Sequence, residues 1–139
     1  MKRTIFNINT RIVFKATKKA KNILDNFFKG REALCKIDEK GICHMQLWEF
    51  MRVFANSITE NESMLFEQIE ISTHQNLYIE LTERGKNVLE QNGFGLFMPN
   101  EEGYYVMELW EATRLFGNDM SEIAENLFEK CIIEIPISV

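Results

Sequence analysis

The chain is short of nearly everything that announces a chemistry. No apolar run approaches the ~18–20 residues that span a bilayer. The first ten residues carry two basic side chains but neither the apolar stretch nor the small-residue cleavage site of a secretory leader. Three cysteines, Cys35, Cys43 and Cys131, stand at unpaired spacing. That pattern suits a reducing, cytoplasmic setting better than a disulfide framework. With two histidines, His44 and His74, there is no four-ligand zinc spacing. A Gly-rich phosphate loop, a nucleophile elbow and a zinc-protease motif are all missing. These absences predict no catalytic residue, no metal and no cofactor, hence a protein that is not an enzyme.

What is present is a stretch carried twice. Residues 38–58 and 100–120 agree at nine of 21 positions, among them Gly41/Gly103, Trp48/Trp110, Glu49/Glu111, Arg52/Arg114 and Asn56/Asn118. Chance would supply about one match, and fixed-period self-similarity dictates architecture. A second matched stretch lies upstream, where Lys21, Asn22 and Leu24 answer Lys86, Asn87 and Leu89. The offset is 65 there and 62 around the tryptophans. The three-residue difference falls between residues 31–37 and 96–99, which reads as a surface loop.

The periodicities predict strands at residues 4–8, 12–16, 42–45, 69–72, 77–81, 104–107 and 131–137. Turn residues predict hairpins joining the first strand to the second and, through residues 73–76, the fourth to the fifth. Helices are expected at 18–28, with Thr17 as N-cap, at 47–55 and at 109–117. Thr59 and Ser121 are expected to cap a further helix in each half, and Pro136 puts the last strand at an edge or its end. The predicted fold is α+β, a tandem internal duplication of a ~65-residue strand-helix-strand-helix-helix-strand unit. Its lobes, residues 1–72 and 73–139, pack as one pseudo-twofold unit, the last strand pairing with the first. A ~65-residue unit alone is marginal, and two fused copies remedy that.

Trp48 and Trp110 are read as packing residues on an apolar helix face, since both halves face the same burial problem. Glu49 and Arg52, like Glu111 and Arg114, stand i, i+3 apart and can pair on the helix surface. Cys43 and His44 are adjacent on a strand and so point to opposite faces, which speaks against a thiol–imidazole couple. Residues 81–89 resemble the strand-to-helix passage after the wing of winged-helix DNA-binding proteins. A strand, a Thr cap and an amphipathic helix produce the same pattern, and no recognition helix precedes it, so no family is assigned.

Charge divides the chain. Residues 1–68 hold twelve Lys/Arg and eight Asp/Glu, while residues 69–139 hold four and thirteen, for a net charge of −5. The candidate partner-binding residues are Lys15, Lys18, Lys19 and Lys21, a basic group for which a solvated surface is the first explanation. The expected function is that of a small cytoplasmic accessory factor that binds another protein, of the kind bacteria and mobile elements use in immunity or anti-defence. The alternative is a nucleic-acid-associated protein using the basic first lobe. No membrane partner is expected.

Overall fold

The computed structural model describes residues 2–7, 9–93, 95–121 and 127–135. It combines helices with two antiparallel sheets. In chain order the elements are β1 (Lys2–Ile5), β2 (Arg11–Ala16), α1 (Lys18–Phe27), β3 (Ile42–Gln46), α2 (Leu47–Phe54), β4 (Phe66–Ile69), β5 (Asn76–Leu81), α3 (Glu83–Gly93), β6 (Tyr105–Glu108), α4 (Leu109–Phe116) and β7 (Phe128–Ile135). The first sheet has the order β3-β2-β4 and the second β1-β7-β5-β6.

The two sheets share a register. Arg11 pairs with Gln46 and Asn76 with Glu108; Phe14 pairs with Ile69 and Ile79 with Cys131. A register shift falls between Lys15 and Ala16 in β2 and between Glu80 and Leu81 in β5, the same step in each. Local bonds coincide as well. Thr17 Oγ1 accepts from Ala20 N, and Thr82 Oγ1 from Gly85 N, so the N-cap expected at Thr17 forms. Asp38 and Asn100 each turn the chain with a side-chain oxygen that accepts two backbone N–H groups. Gly41 and Gly103 follow at φ 82 and 87, where a side chain would be strained.

Four expectations are corrected. The first strand does not form a hairpin with β2: β1 lies beside β7, Lys2 opposite Ile135 and Ile5 opposite Ile132. Residues 73–76 do not close a hairpin either, because β4 and β5 belong to different sheets. Turn residues mark where a chain bends, not which strand it rejoins. The third helix of the first half is only a 3-10 turn, Glu62–Met64, and its counterpart at residues 122–126 lies outside the described residues. Finally, of the two places that Pro136 allowed the last strand, the edge is excluded: β7 runs between β5 and β1, and its described residues end at Ile135. Pro136 lies outside the described residues. β4 ends at Ile69 because the chain turns there toward β5, whereas β7 runs to Ile135 and offers its last four residues to β1.

One apolar cluster runs through both halves, from Phe14, Leu47 and Phe54 to Leu77, Leu109 and Phe116. Phe14, Phe50, Phe54 and Phe66 meet mostly edge to face at 5.0–5.7 Å. Their counterparts Phe116 and Phe128 meet at 5.1 Å. Between the sheets α2 packs against α4. Gly117, just past α4, sits so close to α2 that a Cβ there would lie 2.2 Å from Met51 O.

Candidate functional site

The repeated Trp-Glu-x-x-Arg residues come first, since they dominate the sequence. Glu49 Oε1 accepts from Gln46 N and Glu111 Oε1 from Glu108 N, each closing a capping box at the start of its helix. The arginines reach across the α2–α4 pair. Arg52 Nη1 donates to Met120 O at 2.7 Å, and Arg114 Nη1 donates to Ile58 O at 2.8 Å. Asn118 Nδ2 donates to Asn56 Oδ1 between them. The expected Glu49–Arg52 and Glu111–Arg114 surface pairs therefore do not form among the described residues. Each carboxylate satisfies an otherwise orphaned helix-start amide, and each guanidinium reaches a carbonyl on the opposite half.

Both tryptophans are half-buried at the flank of the helix face, not at its centre. The fully buried positions are Leu47, Phe50, Met51 and Phe54, and Leu109, Ala112, Thr113 and Phe116. Trp48 Nε1 donates to Gln46 Oε1 at 2.7 Å. The counterpart of Gln46 is Glu108, whose Oε1 instead meets His74 Nδ1 at 2.6 Å. Trp110 Nε1 is left buried without a partner among the described residues.

The lysines do not form one site. Lys15 projects from the outer face of β2 and pairs with Glu67 at 3.3 Å. Lys18 and Lys19 are exposed in the first turn of α1, and Lys21 lies over the turn at Gly41. Cys43 is fully buried and burial pushes its thiol up to about 12, as it does for Cys131, so neither is a nucleophile near neutrality. Among the described residues no group of three His, Cys, Asp or Glu is placed to hold a metal ion. No described helix is long and apolar enough to cross a membrane.

A surface that the sequence reading missed lies on the second sheet. Ile5, Ile132, Tyr78 and Val106 are cross-strand partners and form one continuous row over β1, β7, β5 and β6. Cross-strand partners share a face; on it Ile5 is 65% and Val106 40% exposed at the two edges of the sheet, while Tyr78 is half-buried and Ile132, at 6%, is buried between them. Flanking rows are charged. Arg3, opposite Glu134, lies on one side with Glu108, and Glu80 stands opposite Lys130 on the other; Arg3 bridges Glu134 at 3.6 Å and Glu102, in the turn before β6, at 3.3 Å. The rim thus carries four carboxylates and two cations. At the same register positions the first sheet has His44 and Val13, followed by Glu70, whose N–H meets Val13 O. The row was invisible in the sequence because its continuity depends on β7 lying beside β5, where the expected hairpin put β4.

Comparison of the chain with protein-family models, curated proteins and solved structures returned no match.

Proposed function

We propose that the chain is a non-enzymatic accessory factor that binds another protein through the outer face of its second sheet. The observation that carries this reading is the apolar row Ile5–Ile132–Tyr78–Val106, set where the first sheet is largely polar. Two sheets with one register make the same demands on their outer faces. Apolar residues present on one alone answer a need other than folding, and an exposed apolar patch with a polar rim is the usual mark of a protein interface.

The rim selects the partner. Its excess of carboxylates, in a stretch (residues 69–139) that holds thirteen acids and four bases, favours a protein face with an apolar centre and a basic border. A second copy of the chain would bring like charges together. The shared register, with the reciprocal Arg52 and Arg114 bonds, also supports reading the chain as a tandem duplication. Its lobes, residues 1–72 and 73–139, are then fused like the subunits of an isologous dimer. A cytoplasmic role in bacterial or mobile-element immunity or anti-defence fits this profile. The test is capture from the native cytoplasm. The immobilised chain should retain one basic protein in stoichiometric amount, and Ile5→Lys with Val106→Lys should abolish retention while shifting the melting midpoint by under about 3 °C. Equal retention by the variant, or retention of nucleic acid instead, contradicts the proposal.

A further inference from the structure

The loop that makes the halves unequal in length also builds a cleft. Phe27 and Phe28 at the end of α1, Arg31 and Lys36 on the loop, and Trp48 and Arg52 on α2 surround a cavity of about 410 Å³. Its walls are fixed by internal bonds. Arg31 Nη2 donates to Phe27 O at 2.9 Å, and the guanidinium lies 5.6 Å above the Phe27 ring. Trp48 is oriented by its bond to Gln46, and Arg52 by its bond to Met120 O, which leaves further N–H groups free to donate. Lys36 has no hydrogen bond or ion pair from its ammonium among the described residues. One carboxylate lines the cleft, Glu49, and it is turned to Gln46 N. Three cations, three aromatic side chains and a single occupied carboxylate therefore share one concave site.

The second half lacks these features. Asn92 stands at the position of Phe27 and donates to Leu115 O at 2.6 Å, and Phe97 packs against Gly93, which stands at the position of Phe28. Arg31 and Lys36 lie in the loop where the two halves stop aligning. Trp48 and Arg52 have counterparts and serve the fold, whereas Phe27, Arg31 and Lys36 are peculiar to the cleft.

We propose that this cleft binds a free mononucleotide, its base stacked against the Trp48 and Phe27 side and its phosphate held by Lys36, Arg31 and the remaining donors of Arg52. The volume lies in the range of small-ligand sites. Aromatic side chains accept any base through its π-face, which makes the site tolerant of base identity. Guanidinium and ammonium groups together are the ordinary means of holding a phosphate. The site lies on the first half and is independent of the protein-docking face.

The test is a titration with AMP and with GMP. In the Trp110→Phe variant, where Trp48 is the remaining indole, either nucleotide should quench fluorescence with a dissociation constant of about 10–500 μM. Calorimetry on the unaltered chain gives the same constant without relying on that variant. Adenosine, which lacks the phosphate, and the Lys36→Ala variant with AMP should each bind about tenfold more weakly or worse. Absence of binding by about 5 mM nucleotide overturns the proposal. So does an unchanged constant in the Arg31→Ala, Lys36→Ala double variant. A 5′-phosphorylated decanucleotide that binds more than about tenfold tighter than AMP assigns the cleft to a strand end and likewise contradicts a free nucleotide.

Discussion

At the scale of single residues, the repeated Trp-Glu-x-x-Arg positions are explained by what each side chain must satisfy. Arg52→Ala and Arg114→Ala should each lower stability by about 1–2 kcal/mol in urea unfolding, because each removes a charged donor from a carbonyl on the other half. Losses near 0.3 kcal/mol would be those of the surface i, i+3 pair that the spacing suggested. His74 supplies a pH signal. Its hydrogen bond to Glu108 raises its pKa, burial opposes this, and the charges of Glu108 and Glu62 add to it. Burial would raise Glu62, but it accepts from Thr73 N, Ser72 Oγ and Thr73 Oγ1, so its carboxyl stays below the usual range. A histidine with a raised folded pKa adds stability that is full below its unfolded value, ~6.5, and fades as pH climbs through the folded one. The stability advantage of the natural chain over His74→Gln should therefore be larger at pH 5.5 than at pH 8.5. Equal differences at the two pH values would show that His74 and Glu108 do not pair in solution.

At the scale of elements, α1, α2, α4 and the strands were legible within about three residues, because Thr17, the apolar spacing of α1 and the β-branched runs are local signals, whereas the third helix expected in the first half is only a 3-10 turn. Strand partners were legible only in part: the last strand lies beside the first as expected, but neither expected hairpin forms. Residues 73–76 look like a hairpin turn, yet Trp110 N bonds to Thr73 O and Leu109 N to Gln75 O, so the segment anchors α4 instead of folding β5 back on β4. The side-chain bonds of Arg52 and Arg114 were equally hidden, since i, i+3 spacing shows a near neighbour and not a carbonyl some sixty residues away. The crossing of α2 and α4 is a tight joint. Position 117 is glycine where the first half has Ala55, and Ala55 Cβ would lie 2.5 Å from a Cβ at 117. Gly117→Ala should force the helices apart and cost about 1–3 kcal/mol, the usual range for overpacking. An unchanged unfolding midpoint would mean that this joint is loose.

At the scale of the whole molecule, what the two sheets share separates from what only one carries. Shared features are the strand order, the register step, the capping boxes and the reciprocal arginines, and all of them support the fold. The unshared features are the apolar row of the second sheet and the cationic, aromatic cleft of the first half, and these carry the functional proposals. The sequence showed the repeat and the charge division, but it drew attention to Lys15, Lys18, Lys19 and Lys21, one of which is paired with Glu67 while the others spread along α1. A row assembled from residues 5, 78, 106 and 132 has no sequence signal until the strand order is known. The most direct measurement is hydrogen–deuterium exchange of the chain alone and in complex with the protein it retains. Protection should concentrate in β1 and β6, the strands that carry Ile5 and Val106, and should leave β3 and α1 unchanged. Protection of α1 and the first sheet, with β1 and β6 exchanging as in the free chain, would contradict the account.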